Sequence, residues 1–494
     1  MREPLRVTVA RAEYAPTLDN LVADKVASRI AAGDDSLWGS EAQAEAAVRL
    51  GWVGLHESSR PLLAEIDALR AELWGEGIDR VVLCGMGGSS LAPEVVTRTF
   101  GCDLVVLDST APSVVARATA SDLERTVVVV SSKSGGTVET DSQRRAFLQA
   151  FADAGIDAAS RMVVVTDPDS PLSRLAGESG YRRVFHADPH VGGRYSALTA
   201  FGLVPSGLAG VDVADLLDEA DEVAGALFED SPDNPALQLG AWLTTDGRDK
   251  AVLTDSDSGI VGFPDWAEQL IAESTGKQGK GVLPVAVEGV SAPEIDEAAP
   301  DLLLGLLVGS DVRGSRTADQ MPTARVSGTL GALFLLWETA TAVAGRLLGI
   351  NPFDQPDVES AKEAARGLLD RRPEPEPAAF VEGSVEVRGS ADLLHGVDSL
   401  SGAVRATLTR LGAGGYVALM AYLDPEDAGA LTGSRAALAG RCKRTVTFGW
   451  GPRFLHSTGQ YHKGGPARGV FIQVTTEFAE DVAIPDRPFT FGSL

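Results

Sequence analysis

The chain has few of the residues that build a disulfide framework, a metal centre or a membrane anchor. It contains three cysteines and six histidines among 494 residues, and Cys84, Cys102 and Cys442 form no CxxC pair. This usage indicates reduced thiols in a cytosolic enzyme and argues against a disulfide scaffold or a zinc site. The N-terminus lacks the apolar segment of a signal peptide, and no apolar stretch approaches the roughly 18 residues of a membrane span. We therefore expect a cytoplasmic protein.

Positive charge is scarce as well. Lysine and arginine number 43 against 69 acidic residues, which gives a formal net charge of −26. Such an excess of negative charge disfavours nucleic acid and anionic membranes as partners. An anionic substrate must then be held by local positive groups and hydrogen-bond donors, against the field of the whole chain.

Patterns of buried strands alternate with helical patterns along most of the chain, which predicts an α/β fold with mostly parallel sheets. A first set of predicted strands covers 81–84, 104–108, 127–131, 162–166 and 183–186. A second set covers 250–254, 282–287 and 302–308, followed by a long helix over 328–348. Residues 1–75 have mostly helical patterns.

We divide the chain into three units. Residues 1–205 hold the N-terminal helices and a first α/β unit, 206–370 a second, and 371–494 a smaller C-terminal α/β unit. The last begins with the proline and charge run RRPEPEPA at 371–378, which is typical of an exposed linker. Its predicted strands cover 416–422, 444–448 and 470–475.

Residues 126–140, TVVVVSSKSGGTVET, predict a buried strand that leads into an anion-binding loop. Four consecutive valines are typical of a strand that is covered on both faces. Four hydroxyl groups and two glycines follow, and a helix beginning near Val138 would direct its positive end at the loop. A phosphate group is the expected ligand. The alternative is an ordinary turn with helix-capping hydroxyls, which needs one such residue rather than four.

A second glycine turn, CGMGGSSLAPE at 84–94, follows a predicted strand directly. Ligands of open α/β sheets bind at such strand ends. Gly85 and Gly87 fit the first two glycines of a dinucleotide-binding motif, and Asp108 lies where its ribose-binding acid would be. The third glycine position holds Ser90, however. Two hydroxyl-rich loops at one site fit a monophosphate better than a pyrophosphate.

Two segments in the middle of the chain each carry a candidate catalytic residue. HVGGRYSALT at 190–199 places Arg194 before a predicted helix, where a guanidinium could stabilise negative charge developing on oxygen; a surface ion pair is the alternative. In EQLIAESTGKQGKG at 268–281, Gln269 and Glu273 are four residues apart and share one helix face. A carboxylate near a helix end, beside a glycine turn, is well placed as a general base. The alternative for Glu273 is a solvated surface glutamate.

Two later segments add polar candidates. In NPFDQPDVESAK at 351–362, Gln355 and Lys362 are seven residues apart, or about two helical turns. LHSTGQYHKGG at 455–465 carries His456 and His462, whose spacing matches no usual metal-ligand pattern. Because the chain has so few histidines, a pair in one polar loop indicates function rather than packing.

Taken in order, these segments resemble the phosphoglucose isomerase family. The matching stretches are GMGGSSLAP, SSKSGGTVET, GGRYSALT, EQLIAESTGK and FDQPDVESAK, between about 80 and 365. The resemblance implies two tandem SIS (sugar isomerase) domains, each a three-layer αβα arrangement about a mostly parallel sheet. It also implies interconversion of glucose 6-phosphate and fructose 6-phosphate through a cis-enediol, in glycolysis and gluconeogenesis. No metal or cofactor is implied, and the family's usual form is a homodimer.

The resemblance assigns a role to each matching residue. The expected catalytic residues are Glu273 as the base, Arg194 at the enediol oxygens, and Lys362 and His456 near the ring oxygen. The expected substrate- and phosphate-binding residues are Gly88, Ser89, Ser132, Lys133, Ser134, Thr137, Gly193, Thr199, Gln269 and Gln355.

One feature departs from the family's pattern. The ring-opening histidine normally lies between the base and the FDQ motif, but residues 273–362 contain no histidine. LHSTGQY at 455–461 resembles the histidine motif of the shorter bacterial isomerases, so we expect the C-terminal unit to return His456 to the site of its own chain or of a neighbour. This order is similar to that in the isomerase half of bacterial transaldolase/phosphoglucose isomerase fusions. The alternatives are a non-catalytic sugar-phosphate sensor and an isomerase that also takes mannose 6-phosphate or an amino-sugar phosphate.

Overall fold

The structure is a computed structural model that describes residues 3–10, 12–296, 299–309, 321–357 and 376–494. Its strands are β1 (Arg6–Ala10), β2 (Arg80–Cys84), β3 (Val105–Leu107), β4 (Thr126–Ser131), β5 (Met162–Thr166), β6 (Arg183–His186), β7 (Lys250–Ser256), β8 (Leu283–Ala286), β9 (Leu302–Val308), β10 (Thr323–Ser327), β11 (Phe380–Glu382), β12 (Val385–Val387), β13 (Tyr416–Tyr422), β14 (Val446–Trp450) and β15 (Gly469–Thr475). Its α-helices are α1 (Ala15–Ala23), α2 (Val26–Ala31), α3 (Gln43–Arg49), α4 (Leu55–Ser58), α5 (Pro61–Gly75), α6 (Leu91–Phe100), α7 (Pro112–Ala120), α8 (Val138–Asp153), α9 (Pro171–Glu178), α10 (Ala200–Leu208), α11 (Val213–Leu227), α12 (Pro235–Leu243), α13 (Phe263–Thr275), α14 (Pro293–Asp296), α15 (Leu330–Leu348), α16 (Leu400–Thr409), α17 (Thr432–Cys442) and α18 (Gly459–Gly464).

The first sheet has five parallel strands in the order β3–β2–β4–β5–β6. The valine-rich strand β4 lies at its centre, and all of its residues are buried. Val127 and Val129 pack into the hydrophobic cluster on one face, and Val128 and Val130 into the cluster on the other, because alternate strand residues point to opposite faces. Helices cover both faces, which confirms the predicted strands and the three-layer arrangement.

The second sheet has the order β1–β10–β9–β7–β8, with β1 antiparallel to β10 and the other pairs parallel. Neither β1 nor β10 was predicted. Their sequences, RVTVA and TARVS, are short and half polar, so they lack the apolar run of a buried strand. Helices α1–α5 confirm the prediction that residues 1–75 are mostly helical, and the strand at 6–10 is the exception. The division of the chain at residue 205 stays a prediction, although it separates β1 from the sheet that β1 joins.

Helix α15 lies at the centre of the second unit. It is long and apolar enough to cross a membrane, but 89% of its most apolar window is buried inside the protein. It packs against α11, α12 and α13, and two glycines allow the close approach. A Cβ atom on Gly331 would lie 2.0 Å from the Leu216 carbonyl oxygen, and one on Gly240 would lie 2.6 Å from Val343 Cγ1. In this structure α15 is a core helix.

The C-terminal unit contains the hairpin β11–β12, which was not predicted, and a parallel sheet in the order β14–β13–β15, whose three strands were predicted but whose order was not. Residues 371–375 of the predicted linker lie outside the described residues. The last residues return to the first unit, where Ile484 and Phe491 are buried in the same cluster as Val128 and Phe147. Packing at this point ties the C-terminal unit to the first sheet.

Gly331→Ala should destabilise the protein, because the new Cβ would overlap a backbone carbonyl of α11. Overpacking of a well-packed core typically costs about 1–3 kcal/mol. The control is Gly225→Ala on the exposed side of α11, where nothing lies within 4 Å of the added Cβ and alanine favours the helix. Thermal unfolding followed by circular dichroism should show a lower midpoint for Gly331→Ala only. Equal midpoints would contradict the close helix packing.

Candidate active site

Residues 132–137 form a loop at the carboxyl end of β4, which we call the phosphate loop. The Ser132 and Thr137 hydroxyl oxygens lie 3.1 Å apart, and the Gly136 N–H donates to Ser134 Oγ at 3.3 Å. Thr137 is the first residue before α8, yet its side chain makes no capping hydrogen bond. The loop thus gathers hydroxyls and backbone N–H groups at a helix N-terminus, an arrangement that suits a phosphate and not the capping alternative.

Lys133, in the phosphate loop, forms an ion pair with a carboxylate at the end of the neighbouring strand. Its Nζ lies 2.9 and 2.7 Å from the two carboxylate oxygens of Asp167, just beyond β5, and also donates to the Pro189 carbonyl. The Lys133 charge is therefore already paired, and its expected contact with a phosphate stays a prediction. The loop must attract an anion mainly through hydroxyls, N–H groups and the positive end of α8.

The glycine turn after β2 packs directly against the segment that carries the arginine. A Cβ on Gly88 would lie 2.2 Å from the Gly193 carbonyl oxygen, so only glycine permits this contact. The Ser196 hydroxyl donates to the carbonyls of both Gly88 and Gly193, at 3.3 and 2.6 Å. Ser89 lies half-buried at the end of this turn. The predicted binding segments at 84–94 and 190–199 are therefore in direct contact.

Arg194 is buried at the centre of the site, with 3% of its surface exposed. Its Nε donates to Ser274 Oγ at 2.8 Å, and its Nη1 donates to Gln355 Oε1 at 2.7 Å and lies 3.6 Å from Glu273 Oε2. The alternative of a surface ion pair is thus wrong. A buried guanidinium with fixed partners presents its charge in one orientation, where it can stabilise an anion without reorganisation.

Glu273 lies in the last turn of α13 and is 7% exposed, which excludes a solvated surface glutamate. Gln269 is one turn earlier on the same face, as predicted, and its Nε2 lies 3.4 Å from Glu273 Oε2. The helix ends at Gly276, where a Cβ would lie 2.4 Å from Tyr461 Cα. The Glu273 carboxylate therefore lies near the point where the end of α13 contacts the C-terminal unit.

Thr199 and Lys362 were also predicted to lie in the site. Thr199 is the N-cap of α10: its Oγ1 accepts from the Phe201 N–H and donates to the Ser196 carbonyl. Its hydroxyl thus makes two hydrogen bonds within the protein, and its expected place beside the substrate stays a prediction. Lys362 lies outside the described residues.

His456 lies in the site built by its own chain. Its Nε2 is 3.2 Å from Glu139 Oε1 at the start of α8, and its carbonyl accepts from Gln269 Nε2 at 2.8 Å. A Cβ on Gly87 would lie 2.5 Å from the same carbonyl. His456 therefore contacts both α8, which follows the phosphate loop, and α13, which carries Glu273.

Residues 453–464, which we call the histidine loop, are held at further points. Arg453 Nη2 lies 2.7 Å from Glu94 Oε2, and its Nη1 lies 3.3 Å from Asp108 Oδ2. Gln460 Nε2 donates to the Gly276 carbonyl at 2.9 Å. Burial raises the pKa of Asp108 despite the nearby arginine. Because Asp108 is used as an anchor for this loop, it does not serve as the ribose ligand of the dinucleotide alternative.

His462 packs inside the C-terminal unit. Its Nδ1 lies 2.9 Å from the Tyr416 hydroxyl, its ring stacks on Tyr416, and it meets Phe471 edge-on. Burial lowers the pKa of His462 to about 4. The interpretation that both histidines of the loop are functional is therefore corrected for His462.

Among the described residues, one group has the geometry to hold a cation. His56, Glu57 and Asp221 place their ligand atoms within 4.8 Å of one another. Arg60 lies 4.0 Å from the Asp221 carboxylate and opposes a second positive charge there. These residues belong to α4, α11 and the turn between α4 and α5, and none of the predicted site residues is among them.

Several residues of the site carried no clear sequence signal. Glu139 follows the phosphate loop and Arg453 precedes His456 by three residues, so proximity in sequence could have suggested both. Ser274, Lys277 and Asp354 flank predicted residues, but only the fold shows that they contact Arg194 or its partners.

The fold is that of a double SIS-type α/β protein. It resembles a hypothetical protein from Thermus thermophilus, with a TM-score of 0.61 and 26% identity over 74% of this chain and 100% of that one. It also resembles a glucose-6-phosphate isomerase from Chlamydia trachomatis, with a TM-score of 0.55 and 21% identity over 71% of this chain and 79% of that one. At that identity, the second likeness shows the fold alone.

Sequence comparison gives the family. The phosphoglucose isomerase family model matches residues 63–284, a range that includes Arg194 and Glu273 but ends before His456. A probable glucose-6-phosphate isomerase from Haloquadratum walsbyi is 32% identical over 58% of this chain and 79% of its own length. A glucose-6-phosphate isomerase from Trichormus variabilis is 30% identical over 59% of this chain and 66% of its own length. The chain belongs to the phosphoglucose isomerase family.

Gly87→Ala should release the histidine loop, because the new Cβ would overlap the His456 carbonyl. The control is Gly101→Ala, which creates the same kind of backbone strain (φ 68° against 56°) with nothing within 4 Å. Hydrogen exchange at residues 453–464 should become faster in Gly87→Ala and stay at the wild-type rate in Gly101→Ala. Unchanged exchange in both variants would show that the contact does not hold the loop.

Proposed function

We propose that the chain is a glucose-6-phosphate isomerase, which interconverts glucose 6-phosphate and fructose 6-phosphate by ring opening and proton transfer through a cis-enediol. The observation that carries this proposal is the buried pair of Glu273 and Arg194, 3.6 Å apart, with His456 bonded to the same helix through Gln269. A base, a cation and a histidine therefore converge at one place. The names of the related proteins support the same substrates.

The phosphate loop anchors one end of the substrate. The hydroxyls of Ser132, Ser134 and Thr137 and the N–H groups at the start of α8 hold the phosphate, and Ser89 approaches from the neighbouring turn. Binding of this remote group positions the reacting carbons, and good positioning of this kind can supply about 7–11 kcal/mol of the barrier lowering.

His456 opens the ring. It moves protons between the ring oxygen, which gains one as the C1–O bond breaks, and the C1 hydroxyl, which loses one as the aldehyde forms. No proton is gained or lost overall. Glu139 beside Nε2 holds the imidazole in orientation, and by family resemblance Lys362 assists at the same oxygen.

Glu273 then transfers a proton between C2 and C1. It removes the proton from C2, α to the aldehyde, and returns it to C1, while the hydroxyl proton moves from O2 to O1. Negative charge develops on these oxygens in the intermediate, and the Arg194 guanidinium stabilises it. Gln269 and Gln355 hold the two charged side chains, since each lies within hydrogen-bonding reach of one of them.

We also propose a cytoplasmic location and a homodimeric assembly, both of which rest on the sequence. The likeness to transaldolase fusions remains a prediction of the same kind. Within the described residues, His456 contacts Gln269 and Glu139 of the same chain, which supports a site built from one chain.

Glu273→Gln should lower kcat by about 10²–10⁴-fold, the usual contribution of a general base, and leave sugar-phosphate binding nearly unchanged. Turnover is measured in a coupled assay and binding by calorimetry. The control is Glu268→Gln on the same helix, where a half-buried glutamate accepts from the Ala286 N–H and an amide oxygen can do the same. Wild-type kcat in Glu273→Gln would overturn its assignment as base.

His456→Asn should slow isomerisation of the ring-closed substrate more than it slows C2-proton exchange from an open-chain analogue. Only isomerisation of the closed form needs ring opening. His462→Asn, which alters packing in the same loop, should leave the ratio of the two rates unchanged. Equal losses on both substrates in His456→Asn would mean that His456 orients the sugar instead of opening its ring.

A further inference from the structure

Lys277 is a buried cation that the mechanism above does not use. It lies just beyond the end of α13 and is 1% exposed. Lysines are almost never fully buried unless they are paired, and the partner here is Asp354. Lys277 Nζ lies 2.7 Å from Asp354 Oδ1 and 2.5 Å from the Asp354 backbone oxygen.

The same turn also holds Arg194. Arg194 Nη2 donates to the carbonyls of Pro352 at 2.6 Å and Asp354 at 3.0 Å, while Nη1 donates to Gln355 Oε1. The Asp354 carbonyl therefore accepts from both cations at once. The position of residues 352–355, which we call the FDQ turn, decides where the Arg194 guanidinium and the Gln355 amide point.

Neighbouring groups shift the pKa of Lys277 in opposite directions. Burial, together with the neighbouring Arg194, lowers the pKa of Lys277 to about 8, while Asp354 and Glu273 oppose the shift. From the C-terminal unit, Tyr461 packs on the adjacent Gly276 as a neutral phenol. On that side, Asp357 accepts from Gln460, and the charge of Lys463 interacts with Asp357.

We propose that Lys277 is a positioning residue: it clamps the FDQ turn against the end of α13 and so fixes Arg194 and Gln355 beside Glu273. This inference rests on the proposed isomerase function. Protonated Lys277 neutralises Asp354 and holds the turn. As the pH rises and the ammonium loses its proton, the charge-assisted hydrogen bonds from Lys277 Nζ to the Asp354 carbonyl and carboxylate weaken, and the turn no longer holds Arg194 in the productive arrangement. Activity therefore falls on the alkaline side as Lys277 titrates.

Lys277→Met keeps the volume of the side chain and removes its charge and donors. It should lower kcat by about 10–100-fold, in line with the effect of misplacing a catalytic group by about 1 Å, with a smaller change in KM. The matched control is Lys280→Met, three residues later, where an exposed lysine donates to the Leu348 carbonyl. It should stay within about twofold of wild type in the same assay.

The pH profile separates positioning from simple structural support. Asp354→Asn removes the carboxylate that keeps Lys277 protonated, so the alkaline limb of kcat should move to lower pH. Lys277→Arg keeps a cation throughout the measured pH range, because a guanidinium stays protonated in that range. The alkaline limb of the kcat profile should therefore move to higher pH or vanish. If Lys277→Met does not fold, these two variants still decide the question.

Two results would overturn the inference. One is equal kcat in Lys277→Met and Lys280→Met, and the other is an alkaline limb at the wild-type pH in both Asp354→Asn and Lys277→Arg. Failure of the proposed function looks different, since the wild-type protein would then bind sugar phosphate without interconverting glucose 6-phosphate and fructose 6-phosphate.

Discussion

The structure depends on one close contact, between the histidine loop and the turn that follows β2. Gly87 has no side chain, so the His456 carbonyl can approach it and accept from Gln269. This contact brings an imidazole from near the end of the chain to a site whose other groups come from residues 88–355. Arg453 reinforces it with two ion pairs to the first unit. Without the contact, the phosphate loop and Glu273 would lack the histidine that we propose opens the ring.

The electrostatics of the site follow from burial. In a chain with a net charge of −26, a distant positive field cannot attract a sugar phosphate, and Lys133 is already paired with Asp167. In the proposed function, hydroxyls, N–H groups and a helix N-terminus therefore receive the phosphate. The buried positive charge of Arg194 lies instead next to Glu273. Interactions between charges are stronger there because water is largely excluded.

Local patterns predicted much of this arrangement. The valine run predicted β4, the hydroxyls and glycines predicted the loop, and four-residue spacing put Gln269 and Glu273 on one face. The strands β1 and β10 were missed because their polar sequences become strands only by pairing with each other and with β9. The partners of charged groups were missed for the same reason. The contacts of Lys133, Lys277 and Arg453 are set by segments distant in sequence, so no pattern around any of them reveals its pairing.

The central claim is that a single chain supplies both Glu273 and His456 to one site. It is tested most directly by co-expressing differently tagged Glu273→Gln and His456→Asn chains and assaying isomerisation in material purified through both tags and in the mixed lysate. The account predicts that neither sample exceeds the residual activity of the separate variants, because every site still lacks one of its two groups. Recovery of a substantial fraction of wild-type activity would contradict it, since it would mean that His456 of one chain serves the site of another.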